Sequence, residues 1–106
     1  MKQIGKSNMM MTMNIEKKVV NKTTFTQKVE GKFSLSVSWN CKKDNFHIRI
    51  SRSGLSWYIL AHRKKDDVYW NSLWTKMCWK NLEDAMEFAS KFNYNKITQT
   101  NEHDNV

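Results

Sequence analysis

Residues 33–39 alternate strictly between apolar side chains and serine, in the order Phe-Ser-Leu-Ser-Val-Ser-Trp. Successive side chains of an extended strand point to opposite faces, so this pattern predicts a strand with one buried face and one solvent-exposed face. Residues 46–51 and 55–62 repeat the alternation. A sheet of such strands needs another part of the chain to cover its apolar face.

Short polar segments separate the strands, at residues 30–32, 41–45, 53–54 and 63–67. Gly31 and Gly54 can adopt the positive φ of a tight turn, and Asp44 and Asn45 are also typical turn residues. Strands joined by so few residues pair antiparallel with their neighbours in sequence. We therefore expect an antiparallel β-meander of four to five strands over roughly residues 24–80.

Residues 81–93 show the clearest helical pattern, with Asn81 as N-cap and the acidic residues Glu83 and Asp84 in the first turn. The apolar residues Leu82, Met86, Ala89 and Phe92 fall on one face. The predicted fold class is thus α+β, with this single C-terminal helix packed on one face of the sheet. The strand residues expected to contact it are Phe33, Leu35, Val37, Ile48, Ile50, Trp57 and Ile59.

Residues 68–80 fit two patterns. Their apolar positions match a helical spacing, but Trp, Tyr, Thr, Val and Cys favour a sheet, and we assign the segment to a strand. Around this core, residues 1–20 form a Met-, Lys- and Asn-rich segment without a sustained period, which we interpret as a flexible leader containing several candidate start codons. Residues 21–97 are assigned to a single α+β domain, and residues 98–106 to a disordered polar tail.

The chain of 106 residues has a formal net charge of +8 and a pI near 9.6. Such a charge favours a polyanionic partner: nucleic acid, a nucleotide or an acidic protein surface. An AT-rich genome would also enrich lysine and asparagine and deplete proline, so codon bias is an alternative cause.

The two cysteines, Cys41 and Cys78, form no Cys-x-x-Cys pair and lack a histidine at zinc-ligand spacing, so we expect no metal site and no cofactor. The pattern places Cys41 in a polar turn and Cys78 in a buried aromatic run. No signal peptide and no apolar run of about 20 residues is recognisable, which favours a cytoplasmic protein without membrane contact.

The sequence offers little for catalysis. The chain has three glycines and no phosphate-binding glycine motif, and its carboxylates lie in turns or at the start of the helix. No facing pair of acidic residues is evident for general acid–base chemistry. We therefore expect a protein that is not an enzyme.

Binding residues are expected on the sheet face that the helix leaves free. If Ile48 and Ile50 point to the helix, then Arg49 points away, and Tyr58 follows from the next strand. An arginine beside an aromatic ring, surrounded by basic turns, is typical of a surface on which bases stack and phosphates are neutralised. An ordinary solvated sheet face is the alternative. The predicted site comprises Arg49, Tyr58, Arg63, Lys64 and Lys65, supported by His47, Arg52, Lys42 and Lys43.

The favoured function is non-enzymatic binding of single-stranded DNA or RNA with little sequence specificity. The small size and positive charge of the chain are also compatible with two alternatives. One is a phage- or mobile-element-type inhibitor or adaptor that binds a host protein, and the other is a protein that sequesters an anionic nucleotide. A homodimer is compatible with each of these functions.

Overall fold

In the computed structural model, which describes residues 15–97, the alternating segments form one antiparallel sheet with one α-helix packed on it. The predicted α+β class is therefore confirmed. The six strands lie in the sheet in the order of the sequence: β1 (Lys17–Val20), β2 (Thr23–Glu30), β3 (Ser36–Lys43), β4 (Phe46–Ser53), β5 (Ser56–Arg63) and β6 (Val68–Asn71). Helix α1 (Leu82–Lys91) and a short 3-10 helix (Tyr94–Lys96) follow.

The expected count of four to five strands was too low. The additional strand, β1, lies in a segment that the sequence assigned to the leader, and it pairs with β2 through a turn at Asn21 and Lys22. Both turn residues have positive φ, 51° and 65°, the backbone conformation of tight hairpins. The Asn21 side chain also donates to the Ser90 hydroxyl of α1 at 2.9 Å, which ties this hairpin to the helix. The leader prediction for residues 1–14 and the tail prediction for 98–106 lie outside the described residues.

The prediction that Phe33 and Leu35 belong to the core was wrong. Strand β3 begins only at Ser36, where it pairs with Glu30, and residues 31–35 form a loop. Phe33 and Leu35 are 101% and 70% exposed. Gly31 holds the loop at a φ of +123°, where an added Cβ would collide with the Ser34 carbonyl oxygen. The alternating pattern therefore predicts the strand correctly, but it starts at Phe33, three residues before the pairing of β3 begins at Ser36.

Residues 68–80 are a strand only at their start. After β6, the buried Ser72 closes the pairing with β5: its backbone N–H donates to the Ile59 carbonyl at 2.8 Å, and its hydroxyl accepts from the Ile59 N–H at 2.8 Å. The chain then turns and returns at Trp79, which forms an isolated antiparallel bridge with Trp57. The aromatic composition correctly predicted that this segment contacts the sheet, but it did not predict that the pairing stops after β6 and resumes only at Trp79.

Helix α1 packs its small and apolar face against the sheet. Ala85, Met86 and Ala89 are fully buried. The sheet side of this core is formed by Phe46, Ile48, Ile50, Ile59, Ala61, Val68 and Trp70. Phe92, just after the helix, stacks on Trp70 with ring centroids 5.1 Å apart. The predicted helix of residues 81–93 is thus three residues too long in total, since it spans Leu82–Lys91.

Asn81 occupies the N-cap, but its side chain makes no capping hydrogen bond to the backbone and donates instead to the Asp84 carboxylate at 3.2 Å. The two cysteines are placed opposite to expectation. Cys41 is buried in β3, because that strand continues through the predicted turn, and Cys78 is exposed. Within residues 15–97 no helix has the length and apolar character needed to cross a membrane.

Candidate functional site

The register of the strands divides the side chains between two faces. Side chains of directly paired residues share a face, and the apolar partners Ile48 and Ala61 belong to the core under α1. Helix α1 contacts β1, β4 and β5 from this side of the sheet, and we call the opposite face the open face. Its central positions are Ser38, Asn40 and Lys42 of β3, His47, Arg49 and Ser51 of β4, Tyr58, Leu60 and His62 of β5, and Tyr69 and Asn71 of β6.

Arg49 and Tyr58 project from adjacent strands onto the open face, as predicted. Arg49 pairs with Leu60, and Tyr58 pairs with Ser51, so the two side chains are diagonal neighbours across β4 and β5. Both are half-buried, and both line an open cavity of about 790 Å³ at one end of the face. The guanidinium and the phenol ring are therefore available to one ligand.

The other end of the open face is basic and aromatic. His47 and His62 are direct cross-strand partners, and Lys42 pairs with His47 from the opposite side. The His62 ring stacks parallel to Tyr69, with centroids 4.2 Å apart and planes 1° apart. These side chains border two smaller cavities, of about 320 and 200 Å³, and Lys64 lines the larger of the two.

The electrostatics of this end are set by crowded cations. Partial desolvation of the ring, followed by the positive charges of Arg49, Lys42 and Lys28 and by His62, lowers the pKa of His47 below its usual 6.5. In the part of the chain that the structure describes, no carboxylate occupies an open-face position of β3 to β6. Asp67, in the turn before β6, approaches His62 at 3.5 Å. Glu30 of β2 pairs with Ser36 and lies on the open face at the other end, where it borders the 790 Å³ cavity and forms an ion pair with Lys28 at 3.3 Å. A polyanion reaching the basic end of the face would thus meet cations with few competing carboxylates.

Three of the predicted site residues belong to the other face of the sheet. Arg63 pairs with the buried Val68, holds Asp66 at 2.9 and 2.8 Å, and lies 5.0 Å from the Phe46 ring centroid. Lys43 donates to the Phe92 carbonyl at 2.8 Å and contacts the Asp44 carboxylate at 3.2 Å. These two cations already have partners within the fold, and the structure does not bring them together with Arg49.

Arg52 is the third. It pairs with Trp57, lies 5.9 Å from that ring, and donates to the Gly54 carbonyl, although it also borders the 790 Å³ cavity at its rim. Lys65 is exposed in the turn beside Lys64. The predicted residues that the structure collects on or beside the open face are therefore Arg49, Tyr58, His47, Lys42 and Lys64.

Sequence reasoning missed the contribution of β6 to the open face. Tyr69 pairs with His62, and Asn71 pairs with Leu60. The available signal was the alternation of Val68, Tyr69 and Trp70, in which Val68 and Trp70 are buried and Tyr69 is not. This alternation over four residues is what places Tyr69 on the face opposite Val68 and Trp70.

No metal-binding cluster is present in residues 15–97. The described side chains contain no group of three or more His, Cys, Asp or Glu placed to hold a metal ion. Burial raises the pKa of the Cys41 thiol to about 12, which keeps it protonated.

The fold and the open face define a small α+β protein in which one sheet face is covered by a helix and the other presents cations beside aromatic rings. Comparison with known proteins finds no matching family model, no matching curated protein and no matching solved structure. The function must therefore be inferred from the geometry of this face.

Proposed function

We propose that the chain binds single-stranded nucleic acid along its open face, with little sequence preference and without catalysis. The observation that carries this proposal is the combination of Arg49 with Tyr58 at one end of the face and of the His47–His62 pair with Tyr69 at the other. Aromatic rings stack on bases of any sequence, and cations neutralise the phosphates between them. The net charge of +8 supports attraction of a polyanion over a longer range.

Single strands are favoured over duplexes because the rings lie on the sheet and not on a protruding element. In a duplex the bases are already stacked on one another and present only their edges, whereas the bases of a single strand can turn toward an aromatic side chain. Tyr58 is half-buried in the face, so a base must approach it closely.

The test is an anisotropy titration of a labelled oligothymidine at two salt concentrations, with a duplex of equal length as competitor. We expect the affinity to fall with salt at a slope of about −0.7 for each phosphate neutralised. Arg49→Gln should weaken binding and reduce the magnitude of the salt slope by about 0.7, the contribution of one neutralised phosphate. Lys80→Gln removes the same unit charge from an exposed position outside the strands and serves as the matched control.

Absence of binding at low salt would refute the proposal. Equal effects of Arg49→Gln and Lys80→Gln would show that any attraction is a property of the net charge and not of the open face.

A second candidate function, binding of a host protein by a small inhibitor or adaptor, is favoured by the exposed apolar side chains of Phe33, Leu35 and Leu55. Contiguous exposed apolar residues often mark protein contacts. If no oligonucleotide binds, and a stoichiometric protein partner is captured by the native chain but not by Leu55→Ser, this function replaces the first.

A further inference from the structure

The cavity that Arg49 and Tyr58 line on the open face combines features that phosphate binding does not explain. It has a volume of about 790 Å³, within the size range of small-molecule sites. Arg49 and Tyr58 line it from the sheet, and Ser34 and Leu35 line it from the loop at residues 31–35. Ser36, Ser38 and Ser51 also line it. Trp57 and Val37 line it as well, and its charged residues are Glu30, Arg49 and Arg52. The lining thus combines two aromatic side chains, apolar side chains, several hydrogen-bonding groups and charges of both signs.

This chemistry matches a nucleobase. A base is a flat ring with an apolar face and a polar edge, so it needs a surface on which to stack and hydroxyl groups that can donate or accept at its edge. Tyr58 and Leu35 supply surfaces of the first kind, and the serines supply groups of the second. A phosphate would find Arg49 and Arg52 here but would also meet the acidic Glu30.

The position of the cavity relative to the basic end supports the same occupant. Tyr58 and His62 lie on one strand four residues apart, which corresponds to about 13 Å. Arg49 borders both the 790 Å³ cavity and the adjoining 200 Å³ cavity that contains His47 and His62. A single strand with one base in the cavity would therefore place its next phosphates over Arg49 and then over the histidines.

Two exposed apolar residues adjoin, in the sequence, residues that line the cavity. Phe33 and Leu55 are 101% and 84% exposed. They adjoin Ser34 and Gly54, which line the cavity from two turns at the same end of the sheet. Exposed apolar surface is therefore present in the two turns from which the cavity is lined.

We propose that the cavity between Tyr58 and the loop at residues 31–35 is a pocket for one unstacked nucleobase of the bound strand. The pocket rests on the proposed function, because it requires a strand on the open face. Leu35 and Tyr58 enclose the base, and the serine hydroxyls contact its edge.

The experiment compares two oligomers of about ten nucleotides, a length within the site sizes of known single-strand-binding folds. One is oligothymidine, and the other has the same backbone with every base removed. The native chain should bind the base-bearing oligomer at least fivefold more tightly. Leu35→Ser should lower the affinity for oligothymidine about fivefold and leave the affinity for the abasic oligomer unchanged. Leu73→Ser, at an exposed leucine that lines none of the three cavities described, is the matched control.

Leu35 is 70% exposed, so the variant is expected to fold, and a thermal melt verifies this. Equal binding of the two oligomers by the native chain, or an equal loss for both in Leu35→Ser, would overturn the pocket while leaving salt-dependent strand binding in place. Failure of both oligomers to bind would overturn the proposed function and the pocket together.

Discussion

At the scale of single residues, the role of each cation depends on the face to which its strand directs it. Arg49 lies on the open face beside Tyr58, whereas Arg63, on the neighbouring strand, faces the helix side and is held by Asp66 and Phe46. Residue type alone predicts the same function for both arginines. They differ because successive side chains of a strand point to opposite faces of the sheet, so position along the strand decides which face each one reaches.

Tyr58 tests the stacking role of the open face. Tyr58→Ala should reduce the free energy of oligonucleotide binding by roughly 1–3 kcal/mol, because the ring surface on which a base stacks is lost. The slope of affinity against salt should not change, since the phenol is uncharged. Tyr58→Phe keeps the ring and should bind like the native chain in the same anisotropy titration. A change of slope in Tyr58→Ala, or no loss of affinity, would exclude stacking at this position.

His47 gives the face a dependence on pH. In the folded chain partial desolvation and the neighbouring positive charges lower its pKa below 6.5, so the unfolded chain takes up this proton first as the pH falls. The free energy of unfolding should therefore decrease as the pH falls from 6.5 to the pKa of His47 in the folded chain. His47→Gln should remove this part of the pH dependence.

An NMR titration of the His47 ring measures the pKa directly. We expect a midpoint below 6.5 in the free chain and an upward shift when an oligonucleotide is bound, because a phosphate stabilises the protonated ring. A midpoint at or above 6.5 in the free chain would contradict the structure.

At the scale of elements, the sheet depends on how its last strand ends. Strand β6 has four residues, and Ser72 extends its attachment to β5 through a backbone and a side-chain hydrogen bond to Ile59. Beyond this point Trp79 returns to pair with Trp57. A buried serine thus replaces the strand pairing that the aromatic pattern predicted for the whole segment.

Ser72→Ala tests this arrangement. The substitution leaves the buried Ile59 N–H without its acceptor, and an unsatisfied buried donor costs about 1–3 kcal/mol of the free energy of unfolding. Chemical denaturation measures the loss. Ser53→Ala, at an exposed position in the β4–β5 hairpin, should change stability by less than about 0.5 kcal/mol. Equal effects of the two substitutions would mean that the Ser72 hydroxyl contributes nothing to the sheet.

At the scale of the whole molecule, the two faces of one sheet have separate tasks. The face under α1 buries the apolar side chains and also holds Arg63 and Lys43 through partners within the fold. The open face keeps Lys42 and Lys64 beside the histidines. The net charge is therefore not uniformly available to a ligand.

This division can be measured as a difference between two kinds of charge removal. Lys42→Gln combined with Lys64→Gln should reduce the salt slope of oligonucleotide binding by about 1.4, because each neutralised phosphate of a single strand contributes about 0.7. Arg63→Gln should instead lower the melting temperature and leave the slope nearly unchanged, because its guanidinium holds Asp66. A large slope change in Arg63→Gln with unchanged stability would show that the helix-side face also binds the ligand.

The alternating sequence by itself determined the class of fold, the hairpin order and the faces of Arg49 and Tyr58. Each of these follows from local periodicity and from short turns, and none depends on distant parts of the chain. Helix α1 was likewise recognisable, because its apolar spacing and its acidic first turn are local signals.

The ends of the elements and the limits of the core were decided only by the tertiary structure. Periodicity records which face a residue is on, but not whether another element reaches it. The ten-residue helix is about 15 Å long. An eight-residue strand such as β3 extends over about 26 Å. The helix therefore cannot cover the full sheet, and Phe33 and Leu35, although in phase with the buried residues, lie beyond the paired strands in an exposed loop. Contacts between distant segments also decided the hydrogen bond of Asn21 to Ser90 and the attachment of Ser72 to Ile59, which local patterns did not predict.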